Sequence, residues 1–169
     1  MPAAHLPSNV IEARPQHLVY LAGVMREDER AQFLAVTGLE TFSEDAAVVW
    51  LLDALRTSQG MAFSVLRDNH LPAVAGGFQE VGPGVWQAWM VGCEDGWAEQ
   101  WRSITKGTRW VMERLLATCA HRLQTSALTT RTHAIEWFER SLGFRQEGIA
   151  HRYGVRGEDI AHFGRIRED

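Results

Sequence analysis

The fold of this chain is decided by residues 85–130, which read VWQAWMVGCEDGWAEQWRSITKGTRWVMERLLATCAHRLQTSALTT. Residues 85–91 alternate in the way that is typical of a strand. Helical patterning resumes at Asp95 and is strongest over residues 108–124, and residues 126–130 indicate a second short strand. A strand, a long helix and another strand form a right-handed parallel crossover. The apolar stripe that predicts this helix comprises Val111, Met112, Leu115, Leu116, Cys119 and Leu123.

Upstream of the crossover, the sequence predicts a three-stranded antiparallel meander. Residues 61–67 and 73–79 alternate, and residues 68–70 (DNH) are typical of the turn between them. Residues 82–84 (GPG) make a second turn into residues 85–91. The strand that opens the crossover is therefore also the last strand of the meander.

The N-terminal part is predicted to be mainly helical. Residues 1–9 contain two prolines and are interpreted as an arm, and residues 10–13 fit a short strand. Ser43 is a candidate N-cap for a helix that ends near residue 58, and its run AAVVWLLDAL is apolar nearly all round, which predicts that it is well buried. Two earlier helices are predicted at residues 16–25 and 26–36.

The C-terminal part completes the fold class. Thr132 is a candidate cap for a helix over residues 133–142, and residues 143–150 and 160–166 fit a final pair of strands. We predict a mixed α/β fold with a mostly antiparallel sheet, flanking helices and one parallel β-α-β crossover. Residues 10–169 are expected to form a single domain behind the arm.

Composition excludes several classes of protein. The chain has 169 residues with 17 Lys and Arg, 21 Asp and Glu, a net charge of −4 and 46% hydrophobic residues. These values disfavour disorder and general binding to nucleic acid or membranes. The longest apolar run, residues 46–52, is too short to span a bilayer, and no signal sequence opens the chain, so we expect no secretion by its own signal. The two cysteines are too few for a metal site, and the seven histidines show no i, i+4 pair with an acid between them. We therefore predict no metal site.

One segment carries a family resemblance. AIEWFERSLGF (residues 134–144), followed by RQEG, is similar to the closing signature of the GCN5-related N-acetyltransferase (GNAT) superfamily, in which a helix ends in a Leu-Gly-Phe-type corner. The order of elements across most of residues 10–167 also resembles that fold. The segments MREDE, VWQAWMV and WRSITKGTRWVMERLL more narrowly resemble GNAT-like proteins of tailed phages, some of the internal virion type. This resemblance implies a virion or host-cytoplasm location and a protein partner, either a virion component or a second copy.

The superfamily holds coenzyme A pyrophosphate at the loop after the fourth strand, with the pattern Arg/Gln-x-x-Gly-x-Gly/Ala. The nearest segment we identify from sequence is residues 102–108 (RSITKGT), which has one glycine and lies some ten residues past the strand. The resemblance thus gives these cofactor-binding candidates: Val91, Arg102, Lys106, Gly107, Thr108 and Arg109. The alternative is a helix junction with a solvated lysine and arginine.

Catalytic candidates are few. Many GNAT members have a tyrosine acid four residues before the corner glycine, where this chain has Glu139. Tyr153 is the remaining candidate acid and Glu80 the candidate base, although they also fit a loop aromatic and a solvated residue at a strand end.

Two hypotheses follow. The first is a tailed-phage GNAT-fold protein with a structural or binding role, a degenerate acetyl-CoA site and no cofactor. The alternative is an active acetyl-CoA-dependent N-acetyltransferase with a divergent coenzyme loop. Seven tryptophans suggest that some rings fill the vestigial cleft or form an aromatic patch, and Trp89, Trp97, Trp101 and Trp110 are placed near it. Arg102, Lys106, Arg109 and Arg114 form a basic stripe interleaved with Trp101 and Trp110, and nucleic acid could stack on these rings. The overall negative charge of the chain disfavours this interpretation.

Overall fold

Along residues 5–168, which the computed structural model describes, strands and helices follow one another in the predicted order. The strands are β1 (Val10–Glu12), β2 (Ala62–Leu66), β3 (Pro72–Gly82), β4 (Val85–Gly92), β5 (Arg122–Leu128), β6 (Arg145–Ala150) and β7 (Ile160–Ile166). The helices are α1 (Pro15–Gly23), α2 (Glu27–Thr37), α3 (Glu44–Thr57), α4 (Glu94–Thr118) and α5 (Thr132–Glu136), and a π-helical turn (Trp137–Ser141) follows α5 directly. Residues 1–4 of the predicted arm lie outside the described residues.

The strands form one seven-stranded sheet in the order β1-β2-β3-β4-β5-β7-β6. All neighbouring strands are antiparallel except β4 and β5, which are joined in parallel through α4. The predicted class, a mixed and mostly antiparallel sheet with flanking helices and one parallel crossover, is therefore confirmed. None of the described helices is long and apolar enough to span a membrane.

The parallel pair is short. Register pairs join β4 to β5 at Val85, Trp86 and Gln87 only, opposite Arg122 to Gln124. Beyond Gln87 the two strands diverge, while β4 continues to pair with β3 as far as Gly92. The sheet therefore contains a gap at the carboxyl ends of β4 and β5.

Each face of the sheet has its own hydrophobic core. Trp86 belongs to the cluster that α4 covers, together with Ile104, Met112 and Phe163. Trp89, three residues later on β4, belongs to the cluster of α1, α2 and α3. These two rings therefore lie on opposite faces of the strand.

Helix α3 corrects one expectation. The run AAVVWLLDAL buries only Ala47, Leu51 and Ala54 completely, whereas Val49 is 69% exposed and Trp50 is 41% exposed. The helix lies on the outside of the sheet and contacts the core along one side, so its apolar composition does not make it a buried helix.

Helix α4 corrects two boundaries. It is continuous from Glu94 to Thr118, so the junction expected at residues 102–108 is wrong. It also ends before Leu123, which lies in β5 and is fully buried there. Leu123 extended the predicted helix because it follows Cys119 at helical spacing.

The corner after the π-helical turn fits its sequence. Gly143 has a φ of 72°, a conformation that glycine adopts without strain. Leu142 and Phe144 on either side are buried, and the backbone N–H of Phe144 donates to the carbonyl of Phe138. This corner directs Trp137 and Phe138 toward the gap between β4 and β5.

Candidate functional site

A cavity of about 420 Å³ lies where β4 and β5 separate. Its walls include residues 88–91 of β4 and Thr125 and Ser126 of β5, so its location follows directly from the short parallel pairing. At the point of separation, the side-chain amide Nε2 of Gln124 donates to the side-chain oxygen Oε1 of Gln87 at 3.1 Å. The cavity is thus an opening in the sheet rather than a pocket between loops.

Aromatic rings form much of the cavity wall. The rings of Trp97 and Trp137 meet edge to face with centroids 5.0 Å apart, and Trp137 Nε1 donates to Thr105 Oγ1 at 2.9 Å. Trp89 Nε1 donates to the buried Ser58 Oγ at 2.7 Å. These hydrogen bonds and ring contacts fix the rings as walls of the cavity.

The expectation that tryptophans fill the cleft is therefore wrong. The cavity is open beside Val91, and Trp89, Trp97 and Trp101 line it instead of occupying it. Trp110 is not among the cavity residues and is 39% exposed. Trp97 and Trp137 contact each other edge to face, and the indole N–H groups of Trp137 and Trp89 donate to Thr105 and Ser58. These contacts keep the three rings in the cavity wall, out of the space between the strands.

Trp101 and Trp110 do not form a shared stacking surface. They are nine residues apart on α4, which places them about half a turn apart around the helix axis. Each ring also has the guanidinium of a neighbouring arginine over it, Arg102 at 4.8 Å and Arg114 at 5.4 Å. The geometry therefore does not provide the interleaved aromatic stripe considered from the sequence.

Glu29 is the one carboxylate on the cavity wall among the described residues. It lies on α2, is buried, and its Oε2 accepts a hydrogen bond from the backbone N–H of Gly92 at 2.9 Å. Burial raises the pKa of Glu29 to about 7, although the Gly92 N–H and the charges of Arg131 and Arg26 act in the opposite direction. Sequence reasoning missed this residue because it stands in an acidic first helical turn, which is usually solvated.

Helix α2 also contacts β5. The side-chain oxygen of Gln32 accepts the backbone N–H of Leu128 at 2.7 Å. Asp28 Oδ2 accepts from Arg131 Nε at 2.9 Å, and hydrogen bonds from this guanidinium help to lower the pKa of Asp28. The first turns of α2 are therefore attached to the ends of both separated strands.

In the superfamily that the sequence resembles, the phosphate loop follows the fourth strand, which in this fold corresponds to the N-terminus of α4. Residues 93–98 read CEDGWA there, with Gly96 and Ala98 at the spacing of the two small positions of the pattern and Cys93 at the Arg/Gln position. Residues 102–108, the segment identified from the sequence, begin nine residues after Cys93 on the same helix. The Cys93 side chain, at the N-cap, makes no capping hydrogen bond.

The charge at this helix end is negative. Glu94 and Asp95 occupy the first turn of α4, and Glu94 is paired with Arg26 at 3.2 Å. A Cβ atom on Gly96 would lie 2.5 Å from Ala73 Cα, so this glycine is required for the packing of α4 on β3. An anion at this terminus would meet two carboxylates of the first turn and the buried Glu29.

The cofactor-binding candidates are spread along α4, except Val91, which lies in β4. Val91 and the buried Thr108 line the cavity, but Arg102, Lys106, Gly107 and Arg109 do not. Residues 102–109 lie in the helix interior, where backbone N–H groups bond to carbonyls one turn earlier and are not free for a phosphate.

Three of these residues have surroundings other than the cavity. Lys106 is exposed, and a Cβ atom on Gly107 would meet the ring of Phe63 at 2.9 Å. Arg109 Nε donates to the backbone carbonyl of Ser141 at 2.6 Å. Gly107 allows α4 to pack closely, whereas Lys106 and Arg109 lie on its surface. All three are more than ten residues from the start of the helix.

The catalytic candidates lie away from the cavity. Glu80 is exposed near the turn between β3 and β4, where its Oε1 accepts the Gly84 N–H at 3.0 Å. Tyr153 is 67% exposed in the loop between β6 and β7, and its ring contacts His162 edge to face. Glu139 is exposed on the π-helical turn. None of the three lines the cavity.

The sequence matches no family model and no curated protein. Its structure is similar to a probable GNAT-family acetyltransferase from Chromobacterium violaceum, with 15% identity, a TM-score of 0.69, and 99% of this chain and 93% of that one covered. It is also similar to a phosphinothricin acetyltransferase of the GNAT superfamily from Sinorhizobium meliloti in complex with acetyl-CoA (13% identity, TM-score 0.65, coverage 94% and 87%).

A third similar structure is that of a putative acetyltransferase from Salmonella typhimurium with its cofactor acetyl-CoA (11% identity, TM-score 0.64, coverage 95% and 94%). Together with the strand order and the gap between β4 and β5, these likenesses show that the chain has the GNAT fold.

Proposed function

We propose that this chain is a binding protein built on the GNAT fold, without coenzyme A-dependent transfer. The observation that carries this proposal is the set of carboxylates at the N-terminus of α4. Glu94 and Asp95 stand in its first turn, and Glu29 bonds to the N–H of Gly92 just before it.

The physical reason is electrostatic. A helix N-terminus binds phosphate through free N–H groups and a positive dipole end, and nearby negative charges oppose this binding. Arg26 and Arg67 are cations beside this terminus. Arg26 already pairs with Glu94 and contacts Asp28, and Arg67 pairs with Glu99. Arg102 follows Glu94 by eight residues, about 12 Å along the helix axis. A coenzyme pyrophosphate at the start of α4 would therefore face carboxylates without an unpaired cation of α4 nearby.

Thermal unfolding in the presence of acetyl-CoA tests the proposal. A ligand at one hundred times its dissociation constant adds about 2.7 kcal/mol of apparent stability. We expect no change in Tm at millimolar acetyl-CoA. A clear rise in Tm would contradict the proposal, and its loss in the Lys106→Ala variant would place the coenzyme phosphates along α4.

We further propose that the binding partner is a protein of a tailed-phage particle or a second copy of this chain, in the virion or the host cytoplasm. The support is the resemblance of MREDE, VWQAWMV and WRSITKGTRWVMERLL to phage-encoded GNAT-like proteins. Mass spectrometry of purified particles should then detect the chain. Its absence from particles, together with a monomeric mass in solution, would contradict both partners.

An acetyl-CoA-dependent N-acetyltransferase is the second candidate, and the open cavity favours it. Glu29 on the cavity wall, with a pKa raised to about 7, is suited to accept a proton from an attacking amine. In such a step the amine nitrogen bonds to the thioester carbonyl carbon, the amine proton passes to Glu29, and the carbon–sulfur bond breaks so that coenzyme A leaves as its thiolate with the bonding electron pair.

A thiol-release assay with acetyl-CoA and a mixture of amines separates the two candidates. The enzyme would release thiol at a rate that rises with pH through about 7, that is lost in Glu29→Gln and that persists in the exposed control Glu139→Gln. The binding protein would release no thiol above background.

A further inference from the structure

Helix α2 contacts the ends of two strands that do not contact each other there. Glu29 accepts the N–H of Gly92 at the end of β4, and Gln32 accepts the N–H of Leu128 at the end of β5. The two acceptors are three residues apart and therefore lie on the same side of the helix. One helical turn thus spans the gap in the sheet.

These amide groups are available because the strands separate. If β4 and β5 were paired along their whole length, the backbone groups that face the gap would bond to the opposite strand. The pairing ends at Gln87 and Gln124, and α2 supplies other partners further along. Gly92 has a second partner at the start of this helix, because the backbone N–H of Arg26, the N-cap of α2, donates to the Gly92 carbonyl at 3.2 Å.

Ion pairs fasten the same helical segment on both sides. Arg26 bonds to Glu94 at the start of α4, and Arg131, just before α5, bonds to Asp28. Glu29, Gln32 and Phe33 of α2 also line the cavity. Helix α2 is therefore the cover of the cavity on the side where the strands end.

We propose that α2 is an internal competitor for this cavity: Glu29 and Gln32 occupy the strand amides that a ligand with carbonyl or thioester oxygens would use, so such a ligand enters only when α2 is displaced. The inference rests on the proposed function and names the part of the chain that prevents the coenzyme from entering. The ligand class is an extended, uncharged arm bearing hydrogen-bond acceptors, and acetyl-CoA serves as the probe.

Two double variants separate the cover from the charge of the helix end. Glu29→Ala with Gln32→Ala (the α2 variant) frees both amides. Glu29→Gln with Asp95→Asn (the α4 variant, named for the helix end whose charge it lowers) removes two of the three carboxylates but keeps an acceptor at Gly92 and the Arg26–Glu94 ion pair. With acetyl-CoA in isothermal titration, we expect the α2 variant to bind at least tenfold more tightly than the native chain and the α4 variant to gain less than the α2 variant, because α2 still covers the cavity.

The other outcomes are distinguishable. Tighter binding only in the α4 variant would overturn the role of α2 and leave the proposed function standing, because charge alone would exclude the coenzyme. Failure of both variants to bind would also overturn the role of α2. Tight binding by the native chain would overturn the inference and the proposed function together.

A measurement on the native chain covers the case in which the α2 variant does not fold. Native-state hydrogen exchange should show the amides of Gly92 and Leu128 exchanging together with those of α2, through an opening less costly than global unfolding. If these amides exchange only at the free energy of global unfolding, α2 cannot be displaced and the proposal is wrong.

Discussion

The Glu29 carboxylate is held against the backbone N–H of Gly92, at 2.9 Å, in a buried position between α2 and the end of β4. This contact places an ionisable group where neighbouring strands of a sheet would ordinarily exchange backbone hydrogen bonds. Both positive and negative side chains surround it: Arg26 just before α2, Asp28 on α2, and Arg131 just before α5.

Glu29 should make stability depend on pH. Burial raises its pKa from 4.5 to about 7, so between these values the folded chain holds a proton that the unfolded chain has released. The free energy of unfolding should therefore fall as pH rises through this window, by at most about 3 kcal/mol, and stay level above it. Denaturant unfolding of the native chain and Glu29→Gln at pH 5 and pH 7.5 checks this. Equal pH slopes in the two proteins would be inconsistent with a raised pKa.

Thr105 should contribute more to stability than Thr108, although both are buried on α4. Trp137 Nε1 depends on Thr105 Oγ1, whereas the Thr108 hydroxyl only donates to the Ile104 carbonyl one turn earlier. Thr105→Val leaves a partly buried indole N–H without this acceptor and should cost about 1–3 kcal/mol. Thr108→Val should cost clearly less. Urea denaturation compares them, and an equal loss would show that the indole bond is not what stabilises this wall of the cavity.

Gly96 should be intolerant of a side chain for a structural reason. The Cβ of alanine at this position would lie 2.5 Å from Ala73 Cα, which is a backbone atom of β3, so Gly96→Ala should destabilise the fold by about 1–3 kcal/mol despite the higher helix propensity of alanine. Gly82→Ala is the matched control, since a Cβ there meets nothing within 4 Å and the change should stay within about 0.5 kcal/mol. Unchanged stability in Gly96→Ala would mean that the close packing of α4 on β3 can relax.

Two apolar residues of α3 should respond in opposite ways to truncation. Leu51 is fully buried, and Leu51→Ala should cost about 2–5 kcal/mol. Val49, two residues earlier, is exposed, and Val49→Ala should change stability by less than about 0.5 kcal/mol. Thermal unfolding of both variants measures the difference. A large loss in Val49→Ala would indicate that this side of α3 is covered in solution.

The strands and the crossover could be predicted because their signals are local. Alternation in residues 61–67, 73–79 and 85–91 identified the meander, and the stripe from Val111 to Leu116 identified the long helix. The start of that helix was predicted to within one residue, at Asp95 instead of Glu94. Its continuity through residues 102–108 was not predicted, because Gly107 weakens a helical pattern.

The candidate site depends on relationships that no local pattern contains. The cavity exists because the pairing of β4 with β5 stops at Gln87, and residues more than thirty positions apart determine where it stops. Glu29 matters because α2 packs against the end of β4, far along the chain. For the same reason Trp89, Trp97 and Trp101 were correctly associated with the cleft, Trp110 was not, and the rings were wrongly assigned to filling it.

The three-residue junction between β4 and β5 also has a consequence for how the chain folds. Strands β2 to β4 pair with their neighbours in the chain, while β5 has to reach β4 across the whole of α4, and β7 has to insert between β5 and β6. Contacts between distant parts of a chain form slowly. We therefore expect the two parts of the sheet to gain order separately, with the seam at Gln87 and Gln124 closing last during refolding and separating first under mechanical force.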